Sequence, residues 1–129
     1  MFLPVSRVLL IALLLVATSL SGCATGGYSI GRDFNSAAVS QIVKGKTTKD
    51  DVVRMFGEPF SKQVASENEE KWMYVYDAGV VKAQSYVFTT VAQVTGQKKT
   101  LDILLRNGIV INYTYLEGQP EVKHEMKTW

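Results

Sequence analysis

The sequence predicts an α+β domain in which two short N-terminal helices pack on a small antiparallel sheet of three to four strands. An apolar stripe at helical spacing begins at Phe34, and a capped helix begins after Thr48. Alternating aromatic residues over 72–76 and a turn signal at Asn107-Gly108 then predict strands. Because a helix of about two turns is not stable alone, both helices are expected to dock on that sheet.

The first helix is predicted from Phe34 to about Val43, where apolar residues recur at the spacing of one helix face. Asp33 or Asn35 is placed to cap its start, and Gly45 to end it. The stripe is narrow, so only one side of this helix is expected to be buried.

The second helix has stronger boundary signals. Thr48 followed by Asp51 fits a capping box, in which a hydroxyl and a carboxylate each bond the other residue's backbone amide. Gly57 fits the left-handed position after the last turn, and Pro59 prevents the helix from resuming. The sequence therefore predicts a helix confined between Thr48 and Gly57.

Two strands are predicted after the helices. Glu70–Asp77 alternates large aromatic with smaller apolar residues, which favours a central strand covered in part on each side. Tyr86–Ala92 is rich in β-formers and is predicted as another strand, with turns at Gly79 and at Gly96-Gln97. Whether the whole stretch 78–99 forms strands or a loop stays open.

The final hairpin presents a conflict between its turn and its apolar pattern. Asn107-Gly108 is typical of a two-residue turn, but that turn would pair Leu104 with Ile111 and put the apolar residues of the two strands on opposite faces. A three-residue loop with Arg106 included would pair 105 with 109, 103 with 111 and 101 with 113. The apolar pattern favours the three-residue loop.

The N-terminal segment predicts secretion followed by lipidation. Arg7 precedes ten unbroken apolar residues, Val8–Ala17, and small residues follow, which is the order of a signal peptide. The run is too short to cross a bilayer, which takes about 20 residues. It ends in the four residues Leu20, Ser21, Gly22 and Cys23.

These four residues resemble the lipobox of bacterial lipoproteins. The resemblance implies that Cys23 receives diacylglycerol, that the chain is cut before it, and that its new amine is acylated. Ala24, instead of an aspartate, implies sorting to the outer membrane with the domain facing the periplasm. The alternative is a signal anchor that is never cut, in which Cys23 has no role.

The domain organisation follows from these signals. Residues 1–22 are expected to be a lipoprotein signal peptide, and residues 23–33, which are small and carry little charge, a flexible lipidated tether. The folded domain is expected over 34–116 and a mobile polar tail over 117–129. Docking of the terminal Trp129 is the alternative for the tail.

Composition gives no support to an enzyme, a metal protein or a nucleic-acid binder. The 14 basic and 12 acidic residues nearly balance, and no basic stripe interleaves with aromatics. With its single cysteine lipidated, the domain has no disulfide or thiol chemistry. The lone His124 has no second ligand nearby, and Gly45-Lys46-Thr47 lacks the first glycine of a phosphate loop. We therefore expect no catalytic residue, no metal and no cofactor beyond the lipid.

Aromatic residues with polar tips form the candidate partner surface. Residues of this kind are enriched in protein interfaces. The surface consists of Trp72, Tyr74 and Tyr76 on one strand face, together with Tyr113 and Tyr115. The alternative is that these rings pack beneath the two helices.

The chain resembles the SmpA/OmlA (BamE-like) family of small outer-membrane lipoproteins over residues 34–116. The resemblance rests on Ile42, Gly45, Thr47-Thr48, Asp51-Val52, Phe56-Gly57-Glu58-Pro59, Trp72, Tyr74 and Gly108. It implies two helices on a three-stranded sheet and a role as an accessory in outer-membrane protein assembly. The segment Tyr28–Asp33 and the long stretch Ala78–Lys99 depart from the family pattern, so no partner-binding residue is carried over.

The expected function is therefore non-catalytic binding by a lipid-anchored envelope protein, in outer-membrane protein assembly or envelope integrity. Two alternatives stay open. One is an inhibitor-like or ligand-binding periplasmic module, and the other is a structural tether for a secretion or pilus apparatus. The expected contacts are membrane lipid through Cys23 and envelope proteins, with neither nucleic acid nor a small-molecule substrate.

Overall fold

The computed structural model describes residues 4–9, 11, 22–119 and 121–127, and its main feature is one antiparallel sheet of six strands. The strands are β1 (Cys23–Gly31), β2 (Ser61–Ser66), β3 (Glu69–Ser85), β4 (Thr89–Arg106), β5 (Ile109–Gly118) and β6 (Glu121–Lys127). A 3-10 segment (Ser36–Gln41) and the α-helix α1 (Lys49–Phe56) lie between β1 and β2. Within the described residues, no helix has the length and apolar character needed to cross a bilayer.

The predicted fold class is wrong. The protein is mostly antiparallel sheet with six strands, and not two helices on three to four strands. Two of the additional strands come from segments that were expected to be flexible. Residues 23–31, predicted as a tether, form β1, and residues 121–127 of the predicted mobile tail form β6. Both extend edges that a long central hairpin offers for backbone pairing.

That central hairpin consists of β3 and β4, which pair without interruption from Glu69↔Arg106 to Ser85↔Thr90. The open question about residues 78–99 is answered, because most of them belong to these two strands. In what we call the helical half, β2 flanks residues 69–73 of β3, and β5 flanks residues 98–106 of β4. In the distal half, β1 flanks residues 76–84 of β3, and β6 flanks residues 89–95 of β4.

Gly79 and Gly96, which were predicted to lie in turns, face each other across β3 and β4. Backbone carbonyls of the paired strand and the ring of Tyr28 on β1 together make glycine necessary there. A Cβ on Gly79 would lie 2.9 Å from the Tyr28 ring and 2.7 Å from the carbonyl oxygen of Thr95. Burial raises the pKa of Tyr28, and the neighbouring Asp77 carboxylate raises it further. The two glycines thus make room for an aromatic side chain in the middle of a sheet.

All buried hydrophobic residues of the described chain lie in the helical half. The 3-10 segment and α1 cover one face of the sheet there, and the side chains of both layers form a single core. The core residues are Phe34, Ala38, Val39, Ile42, Val52, Phe56, Trp72, Tyr74, Leu101, Ile103, Leu105 and Val110. The distal half therefore depends on backbone pairing between its strands more than on a layered core.

The last hairpin combines a two-residue turn with a β-bulge, which differs from both of the registers considered from the sequence. The loop has two residues, with Asn107 at φ 51° and Gly108 at φ 76°, so the predicted three-residue loop is wrong. Arg106 pairs with Ile109, and Ile111 is then accommodated by a bulge. Beyond the bulge Ile103 pairs with Tyr113, which returns the apolar residues to a common face.

The first predicted helix is shorter and tighter than expected. Asn35 caps it by accepting a hydrogen bond from the backbone N–H of Ala37 at 3.0 Å. The segment is a 3-10 helix and ends before Val43, because the following loop bonds the sheet instead of continuing the helix. The backbone N–H of Gly45 donates to the carbonyl of Val110 at 2.7 Å.

The capping box of α1 is confirmed. The backbone N–H of Asp51 donates to the Thr48 hydroxyl at 3.2 Å, and the backbone N–H of Thr48 donates to the Asp51 carboxylate at 3.0 Å. This hydrogen bond from the Thr48 backbone is the main cause that lowers the pKa of Asp51. Gly57 ends the helix at φ 79°, as predicted.

We expect Thr48→Ala to lower the free energy of unfolding by about 1 kcal/mol, because it leaves a helix amide without its acceptor. Thr48→Ser keeps the hydroxyl and should retain stability.

Folding lowers the pKa of Asp51. The contribution of the Asp51 carboxylate to the free energy of unfolding is therefore present above the unfolded pKa near 3.8 and lost as pH falls through the folded value. Urea unfolding at neutral and acid pH measures both effects; equal stability of the Ala and Ser variants would contradict the capping role.

Candidate anchor site and partner surface

Cys23 is the first residue of β1 and is exposed to solvent. It pairs with Gln84 near the end of β3, and the preceding Gly22 accepts a hydrogen bond from the backbone N–H of Ser85 at 3.4 Å. Of the lipobox, Gly22 and Cys23 are described, while Leu20 and Ser21 lie outside the described residues. The predicted modification site is therefore accessible at one extreme end of the sheet.

The position of Cys23 leaves no flexible spacer between this residue and the sheet. All nine residues Cys23–Gly31 pair with β3. The chain leaves the sheet at Gly31, whose φ of +75° suits a glycine, and a Cβ there would lie within 2 Å of the carbonyl oxygen of Val75. A group attached to Cys23 would consequently be held at a fixed place relative to the distal half.

Two of the five predicted surface aromatics are core residues. Trp72 and Tyr74 are only 4% and 3% exposed, so they do not form an accessible partner surface. The indole N–H of Trp72 donates to Glu70 at 2.9 Å, and the hydroxyl of Tyr74 donates to the carbonyl of Gly57 at 2.9 Å. β3 turns this face toward the apolar side of α1, and both side chains therefore lie beneath the helical layer. For these two residues, the alternative prediction of packing beneath the helices is correct.

Tyr76 lies at the boundary between the two halves. It is partly buried against the core, and the ammonium of Lys99 lies 5.8 Å from its ring centroid. The same ammonium donates to the Asp33 carboxylate at 2.9 Å. This hydrogen bond is the main cause that raises the pKa of Lys99. Tyr76 therefore helps to close one end of the core.

Tyr113 and Tyr115 share the helix-covered face but lie on β5 at the side of the core. Both are half-buried, and Tyr113 has the ammonium of Lys44 5.5 Å from its ring centroid. The hydroxyl of Tyr115 donates to Glu117 at 2.6 Å. This hydrogen bond is the main cause that lowers the pKa of Glu117. These two rings retain partial access to solvent and are the part of the predicted surface that a partner could reach.

An open cleft of about 290 Å³ lies where β1 has ended and β2 has not yet begun along the edge of β3. Phe60, which is 57% exposed, lines it together with Arg32, Glu58 and Pro59. The sequence signal for Phe60 was a large apolar residue directly after the helix-stopping proline, outside any periodic pattern. The cleft combines an exposed aromatic ring with an arginine, two residue types that are enriched in protein interfaces.

The described residues contain no group of three or more His, Cys, Asp or Glu side chains that could hold a metal ion. His124 lies on β6 opposite Ala92, and its neighbours in the pairing are not metal ligands. Comparisons with protein families, with curated proteins and with solved structures found no match to this chain.

Proposed function

We propose that the protein is an outer-membrane lipoprotein that is anchored through acylated Cys23 and acts in the periplasm by non-catalytic binding of envelope proteins. Its role would be that of an accessory in outer-membrane protein assembly or envelope integrity. The observation that carries the proposal is an exposed cysteine at the start of the first strand, which is the last residue of a lipobox-like sequence behind an apolar signal core.

The shape of the sheet supports a role in presenting a binding surface away from the membrane. From Gln84, beside Cys23, to Trp72 in the core, β3 advances 12 residues, which corresponds to about 40 Å at ~3.3 Å per residue. An anchor at Cys23 would thus place the helical half far into the periplasm. The accessible features of that half include the Phe60 cleft, at its boundary with the distal half, and the half-buried Tyr113 and Tyr115.

The test is photo-crosslinking in living cells, with a photoreactive amino acid at Phe60 and, as the matched control, at Val122 of β6. Phe60 is 57% and Val122 41% exposed, so both positions accept a probe without disturbing the core. We expect crosslinks from position 60 to components of the barrel-assembly machinery, and few from position 122. Mass spectrometry of the crosslinked bands identifies the partners.

The other outcomes separate the remaining possibilities. Crosslinks to a single soluble periplasmic enzyme would replace the proposal with an inhibitor-like module, and crosslinks to secretion or pilus subunits with a structural tether. An unmodified Cys23 with residues 1–22 still attached would contradict the lipid anchor and favour the uncut signal anchor.

A further inference from the structure

The turn between β3 and β4 is the most exposed apolar segment of the described domain. Its three residues Tyr86, Val87 and Phe88, which we call the hairpin tip, are 62%, 87% and 73% exposed. The backbone N–H of Tyr86 donates to the carbonyl of Thr89 at 2.7 Å, so a hydrogen bond closes the turn. Two aromatic residues and a valine in a tight turn are unusual where polar turn residues would suffice.

The hairpin tip lies at the same end of the sheet as Cys23. Cys23 pairs with Gln84, two residues before the tip, so their backbones are within roughly 10 Å by strand geometry. β6 ends there as well, with Met126 opposite Thr90 and Lys127 opposite Thr89. Met126 is 62% exposed, which extends the apolar end. The apolar tip and the anchor residue thus occupy one extremity of the molecule.

We propose that the hairpin tip inserts into the lipid surface beside acylated Cys23, so that the protein stands on the membrane through two contacts. The inference rests on the proposed function, because it requires the lipid on Cys23. Since β1 begins at Cys23 itself, acyl chains in the bilayer hold the tip at the membrane surface without a spacer. Aromatic and aliphatic side chains are favoured at that depth, where rings lie at the headgroup level.

The charges near the tip are compatible with a lipid surface. The tip itself carries no ionisable acid or base except the Tyr86 phenol, whose hydroxyl donates to Gln84 at 3.1 Å. Lys127 is the nearest charged residue on β6 and suits anionic headgroups, while Glu125 lies farther from the tip, opposite Val91. We favour lipid over a partner protein as the contact of the hairpin tip, because acylation of Cys23 already brings the bilayer next to the tip.

The experiment places an environment-sensitive fluorophore on a new cysteine in the full-length lipidated chain. Val87→Cys reports on the tip, and Val64→Cys, in β2 of the helical half, is the matched control because Val64 is 82% exposed. Acylation blocks Cys23, the only natural cysteine, so each variant takes one label. The proteins are reconstituted in vesicles of phosphatidylethanolamine and phosphatidylglycerol that carry quenchers on the acyl chains.

We expect the label at position 87 to shift to the blue and to be quenched several-fold more than the label at position 64. Equal, water-like emission from both positions of a protein whose mass shows acylated Cys23 would overturn the tip contact and leave the proposed function intact. A second label on Cys23, with no vesicle binding, would overturn both. The same two labelled variants are also measured in native membranes. A blue shift seen there but not in the lipid vesicles would assign the tip to a protein partner and overturn the lipid contact.

Discussion

Cys23→Ser is expected to remove the protein from the outer-membrane fraction and to leave residues 1–22 attached. A serine hydroxyl does not accept the diacylglyceryl group that precedes cleavage in the lipoproteins this segment resembles. The effect should be nearly complete, because a single acyl chain already binds a bilayer with a constant of about 10⁴ M⁻¹ and two more chains make release negligible. Membrane fractionation and the intact mass of the purified chain measure the two consequences.

Ala24→Asp is the matched control for this substitution. It keeps Cys23, so the chain should still be acylated and cut, but the aspartate is expected to hold it in the inner membrane. Ala24 is exposed on β1, opposite Ala83, so the substitution should not disturb the core. A Cys23→Ser chain of mature mass in the outer membrane would contradict the anchor.

The parts of the fold that local chemistry determines could be predicted from the sequence. The capping box at Thr48 and the helix end at Gly57 with a positive φ are correct, because each depends on residues within one or two turns. The predicted left-handed helical conformation of Gly57 is not adopted, since its ψ is −161°. The shared face of Trp72 and Tyr74 is likewise set by the alternation of a strand. The residues that cover that face are distant in sequence. The aromatic alternation of the strand was therefore compatible both with an exposed partner surface and with a core beneath the helices.

The errors share a non-local cause. β1 and β6 have little apolar alternation, and they are strands because the long β3–β4 hairpin presents unpaired edges to them. Gly79 resembled a turn residue because the sequence alone does not reveal that Tyr28 crosses it. The bulge after Val110 was also not predicted. A two-residue turn leaves the apolar residues on a common face only if one extra residue, Ile111, is accommodated in β5.

The tip was missed for a related reason. Tyr86 and the residues after it are strong β-formers, so Tyr86–Ala92 was predicted to be a strand that begins at Tyr86. The chain instead turns there and leaves these side chains exposed. An apolar turn at the end of a hairpin is a signal only once Cys23 is known to lie beside it.

Leu101→Ala is expected to lower the free energy of unfolding by about 2–5 kcal/mol, the range for a buried leucine that leaves a cavity. Leu101 is fully buried and lies between Tyr74 on β3 and Tyr115 on β5, beneath the helical layer. Its neighbours are held by a sheet on both sides and cannot easily close the space. A domain of this size has a total stability of about 5–15 kcal/mol, so the loss would be a large share.

Leu116→Ala is the control for the cavity, because it removes the same atoms from the same sheet at a side chain that is 66% exposed. Its effect should stay within about 0.5 kcal/mol. Urea unfolding of the lipidated chain in detergent, followed by the fluorescence of the buried Trp72 with Trp129 replaced by phenylalanine in every variant, gives both values. Similar losses for the two variants would mean that the helical layer does not seal the core at Leu101. In that case the helical half could not be the rigid platform that an anchor at the opposite end would present to a partner.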